Sequence, residues 1–503
     1  MSRSERLERL GSDRFDVLVI GAGAIGAATA WAAARAGAKV AVVDRGDVAG
    51  ATSSASSKLL HGGLRYLRTG QIGLVREAHR ERRLNAEVVA PHLVRPLPFL
   101  LSIGPECPYP EWQLRLGVFA YSALSRFRDG TSGRVGASEA LRAAPGARTD
   151  ERRFVRYFDH QTDDARLVLG AIRSAEAAGA VWLNHAEVTE LRIESGRVRG
   201  ADVRDLIGGE PLSIDARVVV NASGPWVDEL RRIEDPAASP SVRLSKGVHL
   251  VLATDRPVTA AVTSPLPEGR VGFALPWHGM LLLGTTDEPF EGPPERLTVT
   301  GADVSQVLRE AATGLVPHAI RPELVRSSFA GLRVLPLGGS STASAPRETV
   351  ITTGSRGMLS VAGGKLTTWR AIGVRVAAQA LDAIGERAPD GVPVPILGAA
   401  RAADVAAGLG KLHPDLGPAA CLHLASTYGS LAADVLVPAR ENPQLYEPIV
   451  PGAPDLMAQV PYAFEWEGAC TAEDVLRRRT TIAIRGLSDV SRPRVEPFLA
   501  VTA

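Results

Sequence analysis

Residues with the chemistry of a binding or catalytic site are concentrated in one short segment, residues 51–67, with the sequence ATSSASSKLLHGGLRYL. Five small hydroxyl residues are followed by a lysine, a histidine, an arginine and a tyrosine: Thr52, Ser53, Ser54, Ser56, Ser57, Lys58, His61, Arg65 and Tyr66. The segment is too polar for a core strand and too rich in serine and glycine for a stable helix. Its hydroxyl and N–H groups can hold an anion, and its basic residues can pair with charge or move a proton. A solvated serine-rich loop would have the same composition.

The elements before this segment are those of a dinucleotide-binding fold. Residues 15–20 form an apolar run of strand length, and an alanine-rich helix and a second strand ending at Asp44 follow. Glycines in G-x-G-x-x-G spacing permit a tight turn and a close approach of a pyrophosphate to the helix N-terminus, and the acid is placed to bond a ribose hydroxyl. The predicted site contains Gly21, Gly23, Ala24, Ile25, Gly26, Asp44 and Arg45.

The hydroxyl-rich segment distinguishes between the two common dinucleotides. It begins directly after the Asp44 strand, where an NAD enzyme usually enters another crossover helix. The hydroxyl groups of Thr52, Ser53 and Ser57 would instead lie within reach of the diphosphate of an extended FAD. The sequence therefore favours FAD, bound without a covalent link because no histidine or cysteine stands in a recognised flavin-attachment motif.

Two later strand-to-helix turns also bring backbone towards a cofactor. Residues 218–221 form a buried strand that runs into Ala-Ser-Gly, and Gly-Gly at 363–364 precedes another helix, whose N-terminus presents free N–H groups and the positive dipole end. The residues predicted to join the cofactor site are Val188, Ser223, Gly224, Gly364, Lys365, Leu366 and Thr367. A plain strand-to-helix turn, or a helix cap at Thr367 or Thr368, would explain the same residues.

The basic residues of this chain are almost all arginine, which makes its few lysines informative. The only lysines are Lys39, Lys58, Lys246, Lys365 and Lys411. Those at positions 58, 246 and 365 lie in segments rich in glycine or serine, as expected of lysines needed for a compact, titratable charge.

Composition and length indicate a globular protein of two or three domains, and the strand–helix–strand pattern described above predicts the α/β (α+β) class. The chain has 503 residues, of which 45% are hydrophobic and 22% charged, and a net charge of +2 that gives no indication of a nucleic-acid surface. Its three cysteines lie far apart without a CxxC pair, so neither a disulfide framework nor a metal site is predicted, and a cytoplasmic location fits. Neither a secretory signal nor an apolar run of membrane-spanning length is recognisable, so any membrane contact would be peripheral.

Hydrophobic periodicity divides the chain into three parts. Helices are predicted over 74–90 and 162–179, a hairpin around 195–196, and antiparallel strands from about 241 onwards. A nucleotide-binding domain is predicted for 14–80, 160–240 and 350–388, and a substrate-binding domain for 81–159 and 241–349. A helical C-terminal domain is predicted for 398–503, where Thr471 and Asp474 have the spacing of a capping box.

In chain order, a series of motifs resembles the FAD-dependent, quinone-linked glycerol-3-phosphate dehydrogenases: ATSSASSKLLHGGLRYL, DDARLVL, NASGPWV, KGVHLVL, GTTD, GLRVLPL and AGGKLTTWR. STYGS and EDVLRRRT resemble that family's helical appendage. The resemblance implies a D-amino-acid-oxidase-like fold, with a Rossmann-type FAD domain, an inserted antiparallel substrate sheet and C-terminal helices. It also implies oxidation of sn-glycerol 3-phosphate to dihydroxyacetone phosphate, with electrons passing to quinone at the inner face of the cytoplasmic membrane. A homodimer is compatible with this interpretation.

The resemblance assigns the substrate phosphate to arginines. Arg65, Arg333 and Arg347 are the candidates, since a guanidinium group is planar, permanently charged and able to bind phosphate through two N–H groups. For Arg347 an ordinary surface charge is an equally good explanation. Tyr66 would line the same pocket or simply be packed.

The resemblance also offers two candidate bases and a cation. His61 would lie near the flavin as a hydrogen-bonding or proton-accepting group, and His249 is the second candidate, although a satisfied histidine in a sheet explains it better. Lys365 would stabilise charge that develops during hydride transfer. The sequence leaves the choice between the two histidines open.

Three other functions share part of this pattern. An amine or amino-acid oxidase would need a carboxylate-binding arginine and an apolar pocket, which the basic cluster argues against. A glycerol-3-phosphate oxidase, which uses oxygen and releases peroxide, shares nearly all the motifs. A non-catalytic flavin-binding sensor would be expected to keep the glycine turn but lose some of His61, Arg65, Arg333 and Lys365.

Overall fold

The computed structural model describes residues 1–64, 67, 70–337 and 349–499. Its strands are β1 (Arg14–Ile20), β2 (Val40–Val43), β3 (Leu59–Leu60), β4 (Arg95–Ile103), β5 (Gly133–Val135), β6 (Arg153–Gln161), β7 (Val181–Leu183), β8 (Ala186–Glu194), β9 (Arg197–Asp205), β10 (Pro211–Asn221), β11 (Val242–Leu252), β12 (Ala261–Pro265), β13 (Val271–Trp277), β14 (Met280–Gly284), β15 (Glu288–Phe290), β16 (Val325–Pro336), β17 (Val350–Thr353) and β18 (Leu359–Ala362). Its α-helices are α1 (Arg3–Ser12), α2 (Ala24–Arg35), α3 (Ile72–Leu84), α4 (Glu111–Leu124), α5 (Ala137–Ala143), α6 (Asp164–Ala177), α7 (Val227–Glu234), α8 (Gly301–Ala311), α9 (Trp369–Asp382), α10 (Ala402–Leu412), α11 (Pro418–Tyr428), α12 (Ala432–Val435), α13 (Gln459–Trp466), α14 (Ala472–Asp474) and α15 (Ser488–Val495).

The first sheet has the parallel core of a nucleotide-binding fold. Its strand order is β17-β18-β10-β1-β2-β7, and the β8–β9 hairpin is attached to β10. Strand β1 is apolar along most of its length because both faces of the sheet are covered. Val17 and Val19 pack in the core formed with α2, α6 and α9, while Leu18 and Ile20 pack with α1 and the hairpin.

The second sheet is mainly antiparallel and lies beside the first. Its order is β15-β11-β14-β13-β12-β4-β6-β3, with β16 paired to β11 and β5 paired to β6. One face packs Phe99 and Leu282 against Val118 of α4, and the other packs Leu250 against Val307 of α8. Both faces of the central strands are therefore buried, which fixes the register that brings the site residues together.

The C-terminal helices form a separate core, whose buried residues include Leu424, Val435 and Leu476. The predicted capping box is confirmed: the Thr471 hydroxyl accepts a hydrogen bond from the Asp474 N–H at 3.1 Å, and the carboxylate accepts the N–H of Thr471 at 3.0 Å. Within the described residues, no helix combines the length and apolar character needed to cross a membrane.

The predicted fold class is confirmed, including the hairpin at residues 195–196, where Glu194 pairs with Arg197. The helix predicted over 74–90 is α3 followed by a π-turn at Asn85–Val89. The domain boundaries stay a prediction. Strand β3 lies within a segment assigned to the nucleotide-binding domain, yet it pairs with β6 in the second sheet.

Candidate active site

A cavity of about 1450 Å³ lies between the ends of β1, β2 and β10 in the first sheet and strands β11, β13 and β16 in the second. Every predicted site residue in the described part of the chain lines this cavity, except Gly26. Arg65, Tyr66 and Arg347 lie outside the described residues. Residues from distant parts of the sequence therefore share one cavity, which is larger than most small-molecule sites.

The glycine-rich turn forms one wall and requires its glycines for steric reasons. Gly21 has φ +108°, and a Cβ there would lie 2.5 Å from the carbonyl oxygen of Ala222. A Cβ on Gly26 would lie 1.8 Å from the carbonyl oxygen of Gly21. Gly26 therefore allows α2 to pack against the turn and does not line the cavity, and its contact with the cofactor stays a prediction.

Asp44 ends β2 at the cavity wall, where its carboxylate is already oriented by backbone. Its oxygens accept the N–H of Ala22 at 2.6 Å and the N–H of Gly46 at 2.8 Å. Burial raises the pKa of Asp44 to about 6. Beside it, the Arg45 guanidinium pairs with Glu295 and lies 4.7 Å from the centre of the Trp226 ring.

The hydroxyl-rich segment is a turn held by side-chain hydrogen bonds, and not a solvated loop. The Thr52 hydroxyl donates to the carbonyl of Leu332 at 2.7 Å, and the Ser53 hydroxyl accepts the N–H of Ala24 at 2.9 Å, at the start of α2. Buried Lys58 anchors the segment from behind, with its ammonium group 2.6 Å from Asp164. Lys58 is therefore a structural cation, and it does not line the large cavity.

Two facing glycines let the second sheet approach this turn. Gly247 of β11 and Gly331 of β16 are paired across the strands. A Cβ on Gly331 would lie 2.8 Å from the carbonyl oxygen of Ala55, so its absence makes room for the turn. A Cβ on Gly247 would lie 2.6 Å from Nη2 of Arg333, so its absence makes room for the guanidinium.

Arg333 places its guanidinium over β11 in the cavity. Its Nη2 donates to the Thr285 hydroxyl and to the carbonyl of Thr286, both at 2.9 Å. Its Nη1 is 3.4 Å from both the Ser245 hydroxyl and a carboxylate oxygen of Asp287. Contacts to three neutral groups and an ion pair with Asp287 therefore hold the guanidinium at the cavity wall.

His249 lies on β11, the strand that also contains Gly247, and its imidazole is neutral. Its Nε2 is 2.9 Å from the Ser57 hydroxyl, and its ring stacks on Phe329 with centroids 5.0 Å apart. Burial, with the nearby charges of Arg333 and Lys58, lowers the pKa of His249 to about 3. Nδ1 is buried and has no hydrogen-bond partner among the described residues. In the neutral ring, the nitrogen that carries no proton can act as a hydrogen-bond acceptor.

His61 is positioned by its backbone at the opposite wall. The Thr367 hydroxyl accepts the His61 N–H at 3.0 Å and is 3.1 Å from the His61 carbonyl. The next N–H, of Gly62, donates at 3.1 Å to Asp159, a buried acid that also pairs with Arg82 and accepts the Tyr121 hydroxyl at 2.7 Å. This buried network fixes the loop that carries His61.

The turn before α9 brings Lys365 to the cavity. Gly363 and Gly364 have φ +79° and +100°, and Lys365 begins the short turn Leu366–Thr368 that leads into α9. Of the two alternative helix caps, Thr368 does occupy the N-cap position of α9. Thr367 uses its hydroxyl on His61, and Thr368 makes no side-chain cap hydrogen bond.

Comparison with known proteins identifies the family. The model of FAD-dependent oxidoreductases matches residues 16–370, and that of the C-terminal domain of alpha-glycerophosphate oxidase matches residues 392–492. Glycerol-3-phosphate dehydrogenase 2 of Mycobacterium tuberculosis is 37% identical over 96% of this chain and 83% of its own length. The chain belongs to the FAD-dependent glycerol-3-phosphate dehydrogenase family. A Synechocystis glycerol-3-phosphate dehydrogenase is 31% identical over 93% of this chain and 89% of its own.

Solved structures agree with this family assignment. The glycerol-3-phosphate dehydrogenase of Bacillus halodurans, solved with FAD, superposes with a TM-score of 0.79 and 28% identity, over 100% of this chain and 92% of its own. The L-alpha-glycerophosphate oxidase of Mycoplasma pneumoniae, at 18% identity and a TM-score of 0.58 over 74% of this chain and 95% of its own, shares the fold.

The cofactor of this glycerol-3-phosphate dehydrogenase family member is FAD, and the residues present fit it. The N-cap residue of helix α2, Gly23, has no side chain to cap the helix, and the Ser53 hydroxyl accepts only the N–H of Ala24, so the N–H groups that follow in the first turn are left for a diphosphate. Asp44 lies at the end of the neighbouring strand, as a ribose requires.

Sequence reasoning missed many residues of the cavity wall, among them Asp159, Trp226, Arg270 and Asp287. Arg270 binds both carboxylate oxygens of Glu310, at 2.8 and 2.7 Å, which already neutralises its charge. For Asp159 a signal was present, because it alternates with Val155 and Tyr157 along β6, and an acid in line with buried side chains needs a buried partner. Trp226 and Asp287 lie within the quoted motifs NASGPWV and GTTD but were not singled out, and Arg270 carries no local signal.

Proposed function

We propose that this enzyme oxidises sn-glycerol 3-phosphate to dihydroxyacetone phosphate and delivers the electrons to quinone. The observation that carries the proposal is the Arg333 guanidinium, held over Gly247 in the same cavity as His249, His61 and Lys365. A phosphate bound to Arg333 would place the rest of a three-carbon substrate among the two histidines and the lysine. The bound flavin supplies the acceptor for the hydride that leaves C2 of the substrate.

The chain's own residues provide the remaining chemistry. The C2 hydroxyl proton needs an acceptor, and neutral His249, hydrogen-bonded to Ser57, is our candidate. A phosphate dianion on Arg333 would offset part of the positive field that lowers the pKa of His249, so substrate binding itself would make the imidazole a better base. Lys365 would stabilise negative charge that develops during the reaction.

His61 is the second candidate base, and single substitutions distinguish the two. Loss of a general base lowers kcat by roughly 10²–10⁴-fold. We expect this for His249→Gln in stopped-flow reduction of the flavin by glycerol 3-phosphate, with a smaller effect for His61→Gln. The opposite order would assign the base to His61.

The experiment for the overall proposal is a steady-state assay of purified protein with an electron-accepting dye. Glycerol 3-phosphate should be oxidised and plain glycerol should be a very poor substrate, because glycerol has no phosphate group for Arg333 to bind. Equal rates with the two substrates would overturn the phosphate assignment.

Mixing substrate-reduced enzyme with a short-chain quinone or with air-saturated buffer tests the acceptor. We propose that quinone reoxidises the flavin much faster, at a peripheral position on the inner face of the cytoplasmic membrane. Equally fast reoxidation by oxygen, with stoichiometric peroxide, would make the enzyme an oxidase.

Acid precipitation tests how the flavin is bound. It should release the flavin, and flavin retained on the denatured protein would show a covalent link.

A further inference from the structure

Helix α4 carries an exposed apolar stripe that the site chemistry does not use. Trp112, Leu116 and Phe119 are 67%, 60% and 57% exposed, and Ala123 is exposed in line with them. Their spacing places all four on one side of the helix, opposite Tyr121, which is buried. Three large exposed apolar side chains in a row on one helix mark an interaction surface.

The charge around this stripe is positive. Arg76 and Arg80 on the outer side of α3, and Arg115 and Arg126 beside the stripe, are exposed, and none of the four forms an ion pair within the described ranges. Glu111, the acid at the start of α4, is paired with two other arginines. An apolar stripe bordered by unpaired arginines complements an anionic lipid surface, and tryptophan is favoured at the membrane–water interface.

The stripe is continuous with the rim of the catalytic cavity. Leu116 lines the cavity and is also exposed, and the same is true of Ile72 at the start of α3, which packs against α4. Both residues therefore lie on a part of the cavity wall that reaches the surface. Leu64, Leu67 and Leu114 make this part of the wall apolar.

We propose that the α4 stripe (Trp112, Leu116, Phe119 and Ala123) docks the enzyme on an anionic lipid bilayer, with the cavity opening towards the membrane. A lipid-soluble acceptor could then enter past Ile72 and Leu116 without crossing water. This inference rests on the proposed function, in which the acceptor is a quinone.

Vesicle co-sedimentation of the flavin-loaded enzyme tests the docking surface. With mixed phosphatidylglycerol–phosphatidylcholine vesicles, the double variant Trp112→Gln/Phe119→Gln should bind about tenfold more weakly than wild type, or weaker still. Arg76→Gln/Arg80→Gln should bind about 30-fold more weakly to these vesicles, and should change little on pure phosphatidylcholine. A matched control is Leu412→Gln/Trp466→Gln, which removes residues 68% and 52% exposed in the C-terminal domain and should bind as wild type does.

Activity separates this inference from the proposed function. Trp112 and Phe119 do not line the cavity, so their double variant should keep full activity with a soluble dye and lose it with a quinone embedded in vesicles. A wild type that oxidises glycerol 3-phosphate but does not bind vesicles would overturn the docking surface and leave the proposed function standing. Lack of dye activity would overturn the proposed function alone. A wild-type dimer that becomes a monomer in the Trp112→Gln/Phe119→Gln variant would show that a second copy of the chain covers the stripe, and would overturn lipid docking.

Discussion

Gly247→Ala tests whether the site depends on the close approach of Arg333 to β11. The added methyl would lie 2.6 Å from Nη2 and 2.8 Å from Nη1 of Arg333, and 2.7 Å from the Thr285 hydroxyl. Ordinary contacts of a Cβ are about 3.4–4 Å, so the guanidinium would have to move by nearly 1 Å, away from the position in which it meets the substrate.

The expected cost is that of a charge-assisted hydrogen bond in a buried site, about 2–3 kcal/mol. This corresponds to a fall in kcat/KM for glycerol 3-phosphate of roughly 30–150-fold. Flavin content and thermal stability should change little, because the strain is relieved by moving a side chain at the cavity wall. Steady-state kinetics with a soluble dye measure the effect.

Two further variants make this reasoning refutable. Gly272→Ala is the matched control, since its Cβ on strand β13 would have 3.5 Å as its closest contact and should leave kcat/KM unchanged. Arg333→Ala should lower kcat/KM at least as much as Gly247→Ala, and the double variant should be no worse than Arg333→Ala alone, because both act through one guanidinium. Additive losses would show that Gly247 acts in another way and that the phosphate argument is wrong.

Lys365→Met should slow flavin reduction while the protein stays folded and flavin-bound, because a lysine at a helix N-terminus opposes the helix dipole and calls for a functional reason. Unchanged stopped-flow reduction would make Lys365 structural. Lys58→Met should lower the free energy of unfolding by about 3–5 kcal/mol in urea titration, because it leaves Asp164 buried without its ion-pair partner; a loss below about 1 kcal/mol would refute the anchoring role. The folded-state pKa of His249 is lowered to about 3, so its neutral form contributes stability that is present above about pH 6.5 and is lost as the pH falls towards 3. Between about pH 7 and about pH 5, the free energy of unfolding should therefore fall by about 2 kcal/mol less in His249→Gln than in the wild type. An equal fall in both proteins would contradict a neutral buried imidazole.

The sequence by itself determined the nucleotide-binding half of the site. The strand, the glycine turn, helix α2 and Asp44 are contiguous, and the demand for glycine at position 26 comes from the carbonyl oxygen of Gly21 within the same turn. The same holds for the hairpin at 195–196 and the capping box at Thr471, where the partners are at most a few residues apart. The family motifs then added the prediction of FAD as the cofactor and of the candidate residues around it.

Only the tertiary structure decided how these residues meet. Arg333 lies beside Gly247 because β11 and β16 pair with Gly247 opposite Gly331, and a one-residue slip would turn the guanidinium to the other face of the sheet. The close approach of Ala222 to Gly21, the burial of Lys58 against Asp164 and the network behind His61 likewise depend on segments far apart in the chain. Local sequence patterns report which side of an element is buried, whereas sheet register and packing select its neighbour, so these contacts became visible only in the folded chain.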